Sequence, residues 1–162
     1  MISEQMRSVF AARAEAMGLP ISIVDQFDEV YHPVVEWIES RRTSGKTFVL
    51  GVNGAQGSGK STFCDLMKQT LQALNLKVAV LSIDDLYFTR SHRAALADTI
   101  HPLCAIRGVP GTHDVQMGLE IIQHLRESNR DTPAIHLPRF NKATDDRHPV
   151  SEFETIRGPI DI

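Results

Sequence analysis

Lys60 and Ser61 close the stretch Gly54-Ala55-Gln56-Gly57-Ser58-Gly59-Lys60-Ser61-Thr62, in which Gly54, Gly59, Lys60 and Ser61 fit the spacing G-x-x-x-x-G-K-[ST]. That spacing serves one chemistry, the holding of a polyphosphate. Backbone N–H groups must converge on the anion, which asks for the unusual dihedrals and close approach that Gly54, Gly57 and Gly59 allow. A helix beginning near Gly59 aims its first amides and its positive dipole end at the same charge. Lys60 is then expected to reach the β- and γ-phosphates, the Ser61 hydroxyl to ligate Mg²⁺, and Thr62 to add a secondary phosphate contact. Nucleotide binding is therefore assigned to Gly54 through Thr62, with ATP and Mg²⁺ as the implied cofactors.

A second group of candidates follows the apolar run Val78-Ala79-Val80-Leu81-Ser82-Ile83, which ends in Asp84-Asp85. In open α/β sheets, ligands are handled at the carboxyl ends of strands. A carboxylate there can serve beside Mg·ATP as general base or as an acid on the metal side. Asp84 takes that role, catalytic with Lys60 and metal-side with Ser61. Asp85 divides evenly between a substrate contact and a plain cap, because neighbours at a strand end point different ways. Further on, Thr112 and Asp114 are open to two readings, helix capping or a ligand pocket. Arg139, Lys142 and Arg147 suit an acidic substrate or a transferring phosphoryl group.

The elements that position these residues can be read from periodicity. Residues 2–17 have a helical stripe of Met6, Val9, Phe10 and Met17, with Gly18 and Pro20 as a stop. A second helical stretch carries Ile23, Val24, Phe27, Val30, Tyr31, Val34 and Ile38, and Pro33 should kink or divide it. Phe48-Val49-Leu50 reads as the strand before the phosphate loop, residues 60–73 as the helix after it, and 78–83 as a parallel strand buried on both faces. Together they make a βαβ unit. A short helix at 91–99, a helix capped by Asp114 and a short strand at 133–138 complete the pattern. The fold class expected is a three-layer α/β P-loop domain with a mostly parallel sheet over residues 46–162. A helical extension over residues 1–45 precedes it.

The chain has 162 residues, 42% of them hydrophobic, which suits a packed core, and a net charge of -3, which gives no hint of a nucleic-acid-binding surface. No apolar run approaches a membrane span and the first ten residues lack a signal-peptide core, so the expected location is the cytoplasm, with no membrane partner. Cys64 and Cys104 have no paired ligand spacing and read as reduced, packed thiols. A monomer and a homodimer fit the composition equally.

Taken together, LGVNGAQGSGKST, SIDDLYFT, RGVPGTHD and PRFNKATDDR, with YHPVVEWI ahead of them, closely resemble the D-glycerate 3-kinase family. That family belongs to the phosphoribulokinase, uridine kinase and pantothenate kinase group of P-loop kinases. The resemblance covers roughly residues 20–162. It implies ATP-dependent phosphorylation of a hydroxyl on a small acid, D-glycerate to 3-phosphoglycerate, with Asp84 accepting the hydroxyl proton. It also places Arg107, Thr112, His113 and Asp114 on one segment of an acceptor pocket, and Arg139, Lys142 and Arg147 on another. Phe140 departs from the family's usual tyrosine. Family members also continue past the strand beginning at Ile160 with an acid-glycine-tryptophan segment, a lid and an adenine-side region. The last strands, the lid and a further Mg²⁺-side acid are therefore expected beyond Ile162, and the isolated chain is expected to show impaired catalysis or none. Two alternatives stand beside this one: a related kinase for a nucleoside, a sugar phosphate or pantothenate, and a non-catalytic nucleotide-binding module.

Overall fold

The computed structural model describes residues 2–162, which fall into two compact units: the chain up to Val80 together with Pro159–Ile162, and Leu81–Gly158. The helical extension and the phosphate loop thus share one unit, and Asp84 belongs to the other.

The first unit is built on helix α1 (Ile2–Ala16), the short helix α2 (Ser22–Asp25), α3 (His32–Arg41) and α4 (Lys60–Gln72). α1 ends where expected, with Gly18 at φ 67° just beyond it. Pro33 divides the second helical stretch as its missing N–H requires. It sits in the first turn of α3, and a single wide turn over Phe27–Tyr31 leads into that helix. Four aromatic rings hold these pieces together: Phe10 lies 5.2 Å from Phe27 and 4.5 Å from Tyr31, and Tyr31 stacks on Phe63 of α4 at 5.3 Å. Phe10, Phe27, Ile38 and Leu66 are fully buried. Arg13 of α1 donates to both carboxylate oxygens of Asp65 of α4, at 2.6 and 3.0 Å, in the two-pronged geometry that suits a guanidinium.

The mostly parallel sheet expected over 48–50 and 78–83 is not present as regular strands. These residues are extended segments bridged by the last residues of the chain. Phe48 N donates to Asp161 O (2.8 Å), Ile162 N to Lys77 O (3.1 Å) and Ala79 N to Ile162 O (2.8 Å). The last two bonds have the slanted pattern of parallel neighbours, but the ladder is too short to make strands. Asp161 adds an ion pair to Arg42 at 3.0 Å and accepts from Lys77 N at 2.9 Å.

The second unit contains helices α5 (Arg90–Thr99) and α6 (Val115–Glu127) and four short strands: β1 (Ile135–Leu137), β2 (Phe140–Asn141), β3 (Asp146–Arg147) and β4 (Glu154–Ile156). Both of its sheets are antiparallel. β1 pairs with β4, Ile135 opposite Ile156, and β2 pairs with β3, Phe140 opposite Arg147. The strand expected at 133–138 is thus real but belongs to a hairpin-like pair rather than a parallel layer. A 3₁₀ turn, Ile83–Leu86, carries Asp84 and Asp85, and Gly118 lets α6 approach it: a Cβ there would stand 2.7 Å from Leu86 Cδ1.

Candidate functional site

In the first unit, the phosphate loop has the geometry its residue types demand. Gly57 and Gly59 lie at φ 76° and 84°, the left-handed region that glycine enters without a Cβ clash. Gly54 is required by space: a Cβ on it would meet Ser58 Oγ at 2.8 Å. Gly59 stands at the N-cap of α4, where no side chain caps the helix and the first turn carries no acid, so its leading amides are offered to an anion. A cavity of about 270 Å³ is lined by Val52, Asn53, Ser58, Gly59, Lys60 and Phe63. That volume suits a phosphate chain better than a whole nucleotide. Lys60 Nζ donates to the carbonyls of Gly54 and Ala55, each at 2.8 Å, so its ammonium stands over the loop. A cradle closed to any side chain at Gly54, a lysine over it and a hydroxyl at Ser61 form a donor set that fits a magnesium-bound triphosphate. Gln56 and Thr62 keep their positions on the loop and in the first turn of α4.

The second unit gathers most of the remaining candidates. Asp84 N donates to Ser82 Oγ at 3.2 Å, which fixes the 3₁₀ turn, and its carboxylate meets Lys142 Nζ at 2.7 Å. Asp85 points elsewhere: its Oδ1 accepts from Phe140 N at 3.0 Å and its Oδ2 from Arg139 at 3.3 Å. Arg139 also pairs with Glu154 of β4. Asp85 and Arg139 therefore pin β2 to the turn. Arg147 donates to Tyr87 O through Nε (3.1 Å) and Nη2 (2.7 Å) and lies 3.5 Å from Asp114. Asp114 caps α6 by accepting from Met117 N at 3.1 Å. Thr112, fully buried, donates its hydroxyl to Val109 O at 2.6 Å. The capping reading of Asp114 and a local turn role for Thr112 are thus both visible, which places these two at the wall of the cluster.

At the centre, Tyr87, Phe140 and Asp145 of the quoted motifs join the expected Arg107 and His113 and one residue that the motifs pass over, Arg93. The Tyr87 ring stacks on His113 at 4.1 Å and meets Phe140 edge-on at 5.4 Å. Arg93 and Arg107 each place a guanidinium 5.7 Å from the Phe140 ring. Both converge on Asp145, Arg93 at 2.9 Å and Arg107 at 2.5 Å, and Arg93 also donates to Asp145 O at 2.6 Å. Arg93 is wholly buried, and Asp145 adopts φ 55°, a conformation that costs a non-glycine residue energy unless its surroundings hold it. Burial pushes the Asp145 carboxyl up, but the hydrogen bonds and charges of Arg93 and Arg107 outweigh it and leave the group below its ordinary value. Burial also raises the Tyr87 phenol, with Asp84 adding to the rise and Arg107, Lys142 and Arg93 opposing it. His113 Nε2 is buried with no hydrogen-bond partner. In the sequence Arg93 looks like one more polar residue of a short helix, and no local signal marks its burial.

Among the described residues no three His, Cys, Asp or Glu side chains gather as a metal cage, and no helix is long and apolar enough to cross a membrane. Cys64 and Cys104 are both free thiols, and burial raises the pKa of Cys64.

Comparison with known proteins adds four findings. A family model described as methylmalonyl Co-A mutase-associated GTPase MeaB matches residues 26–100, a stretch that includes the phosphate loop. The chain is 30% identical over 149 residues to the probable ATP-dependent kinase TDA10 of Saccharomyces cerevisiae, covering 85% of this chain and 49% of that protein. It is 28% identical over 120 residues to the chloroplastic D-glycerate 3-kinase of Arabidopsis thaliana, covering 70% of this chain and 26% of that one. Among solved structures, a D-glycerate 3-kinase from Cryptococcus neoformans superposes with a TM-score of 0.60 at 27% identity, over 86% of this chain and 50% of that one. The chain spans between about a quarter and a half of the length of the curated relatives it matches. With a phosphate loop of P-loop NTPase geometry in its first unit and this likeness reaching through its second, the chain is similar to D-glycerate 3-kinases and their yeast relatives.

Proposed function

We propose that the protein carrying this chain is an ATP-dependent kinase for a hydroxyl of a small acid, converting D-glycerate to 3-phosphoglycerate. The observation that carries the kinase reading is the phosphate loop, where Gly54, Gly57 and Gly59 leave the backbone amides open to the anion and Lys60 stands over them. Lys60 and the loop amides hold the β- and γ-phosphate oxygens and stabilise the charge that builds on the departing ADP as the phosphoryl group passes to the acceptor. The Ser61 hydroxyl would hold Mg²⁺, which would supply screening of the phosphate charge. Asp84 orients the acceptor hydroxyl and takes its proton. Cations of the second unit receive the acceptor's carboxylate. The aromatic faces of that unit are already engaged with one another and with Arg93 and Arg107, which favours a small acid over a nucleobase that must stack.

The test is coupled ADP release by the full-length protein with glycerate, pantothenate, uridine and ribulose 5-phosphate. Glycerate should stand out, and preference for another acceptor ends the substrate assignment. Asp84→Asn should keep ATP binding and lower turnover by about 10²- to 10⁴-fold, the range for losing a general base. The MeaB match, whose description is that of a GTPase, favours a second reading, a nucleotide-binding module without acceptor phosphorylation. Binding of GTP in preference to ATP, with no acceptor-stimulated hydrolysis, would select it.

A further inference from the structure

We propose that Lys142 reads the acceptor's negative charge, and that it does so by exchanging Asp84 for the acceptor's carboxylate. The inference rests on the kinase reading only for the role it gives Asp84. It starts from how differently the candidate cations of the second unit are tied down. Arg147 is bound to backbone carbonyls, Arg139 to Asp85 and Glu154, and Arg107 to Asp145 and Lys142 O, so freeing any of them dismantles part of the unit. Among the described residues, Lys142 is held by its side chain to Asp84 alone, 2.7 Å away, and the two side chains are 64% and 38% exposed. A pair this open to solvent is weak and exchanges readily.

The backbone beneath Lys142 is, by contrast, firmly set. Asn141 Oδ1 accepts from Ala143 N at 2.9 Å and from Thr144 N at 3.3 Å, Arg107 donates to Lys142 O at 3.4 Å, and Asp145 is clasped by two arginines. A fixed root and a free ammonium suit a lysine better than an arginine, because its point charge on a four-carbon stem can change partners without a fixed hydrogen-bond fork. While Lys142 sits on Asp84, it engages a carboxylate oxygen that the acceptor's hydroxyl proton needs. A carboxylate-bearing acceptor competes for the ammonium, and by taking it releases Asp84 toward its own hydroxyl. A neutral polyol offers nothing for Lys142 and leaves the pair closed. Selectivity for the acid and release of the base become one event.

The test is calorimetric titration of the full-length protein with D-glycerate in the absence of nucleotide and Mg²⁺, on wild type, Lys142→Met, Lys142→Arg, Asp84→Asn and the Lys142→Met/Asp84→Asn double variant. Lys142→Met should weaken binding at least about tenfold, as loss of a hydrogen bond to a charged group does, and Lys142→Arg should restore most of it. Asp84→Asn should tighten binding about threefold to fivefold, the scale of an exposed ion pair, because Lys142 no longer leaves a carboxylate. In the Lys142→Met background that gain should vanish. An equal gain in both backgrounds means that Asp84 only repels glycerate through space, and it overturns the exchange. So does weakened or unchanged binding by Asp84→Asn. Failure of the kinase reading appears separately, as full turnover by Asp84→Asn.

Discussion

Around Phe10 in the first unit the contacts are apolar and aromatic, with Phe27, Tyr31, Ile38, Leu66 and Leu71 closed over one another. Around Arg93 in the second unit they are charged, with Arg93, Arg107, Arg139 and Arg147 reaching carboxylates and backbone carbonyls. The first arrangement is non-directional and indifferent to pH. The second depends on geometry and on every carboxylate staying ionised, and breaking it exposes unpaired groups rather than a void. The difference matches the work proposed for each. A loop that holds phosphate by its backbone needs a stiff support. A pocket that sorts small acids needs fixed charges around it, and fixed charges need partners.

Phe10→Ala should give the largest stability change, about 3–5 kcal/mol in urea unfolding of the first unit, because it opens a cavity among rings that collapse poorly. The loss should be nearly the same at pH 4 and pH 8 and in low or high salt. A strong salt dependence would break the contrast drawn above. Arg93→Met should come next, at about 3 kcal/mol or more, since it leaves Asp145 and two carbonyls without their buried donor. Hydrogen exchange should show this loss in residues 81–158. Protection lost equally from both units would mean that they unfold together.

Asp145→Asn sharpens the comparison with a smaller effect that depends on pH. The folded chain holds this carboxyl below its ordinary value, so its contribution is fully present above about pH 4, where unfolded chains ionise aspartate. It fades as the pH falls toward the lower folded value, because the unfolded chain takes up the proton first. The gap in urea midpoint between wild type and Asp145→Asn should therefore be widest near pH 7 and close toward pH 3. A gap that widens in acid refutes the assignment.

Legibility in the sequence followed the distance over which each feature is determined. The phosphate loop could be read almost atom by atom, because Gly54, Gly57, Gly59 and Lys60 act on one another within a few residues. α1, α4 and α6 followed from their periodicity and from local signals such as Gly18 and Asp114. The extended runs at 48–50 and 78–83 were recognisable as apolar segments. Their pairing was not, because it depends on Asp161 and Ile162, about eighty or more residues away. The same limit hid the roles in the second unit. Asp84 and Asp85 are adjacent, yet one meets Lys142 and the other binds Arg139 and Phe140 N, and that division is decided more than fifty residues along the chain. Arg93 and Asp145 are fifty-two residues apart, and nothing near either announces the other.

At Asp145 two guanidiniums share one carboxylate, so this trio retains one uncompensated positive charge. Such a surplus, held rigidly at the sides of an aromatic ring, creates a local field that draws small anions from the surrounding solution before any contact is made. Capture of an anionic metabolite should then accelerate as ionic strength falls, with the change seen in the association rate rather than in the dissociation rate.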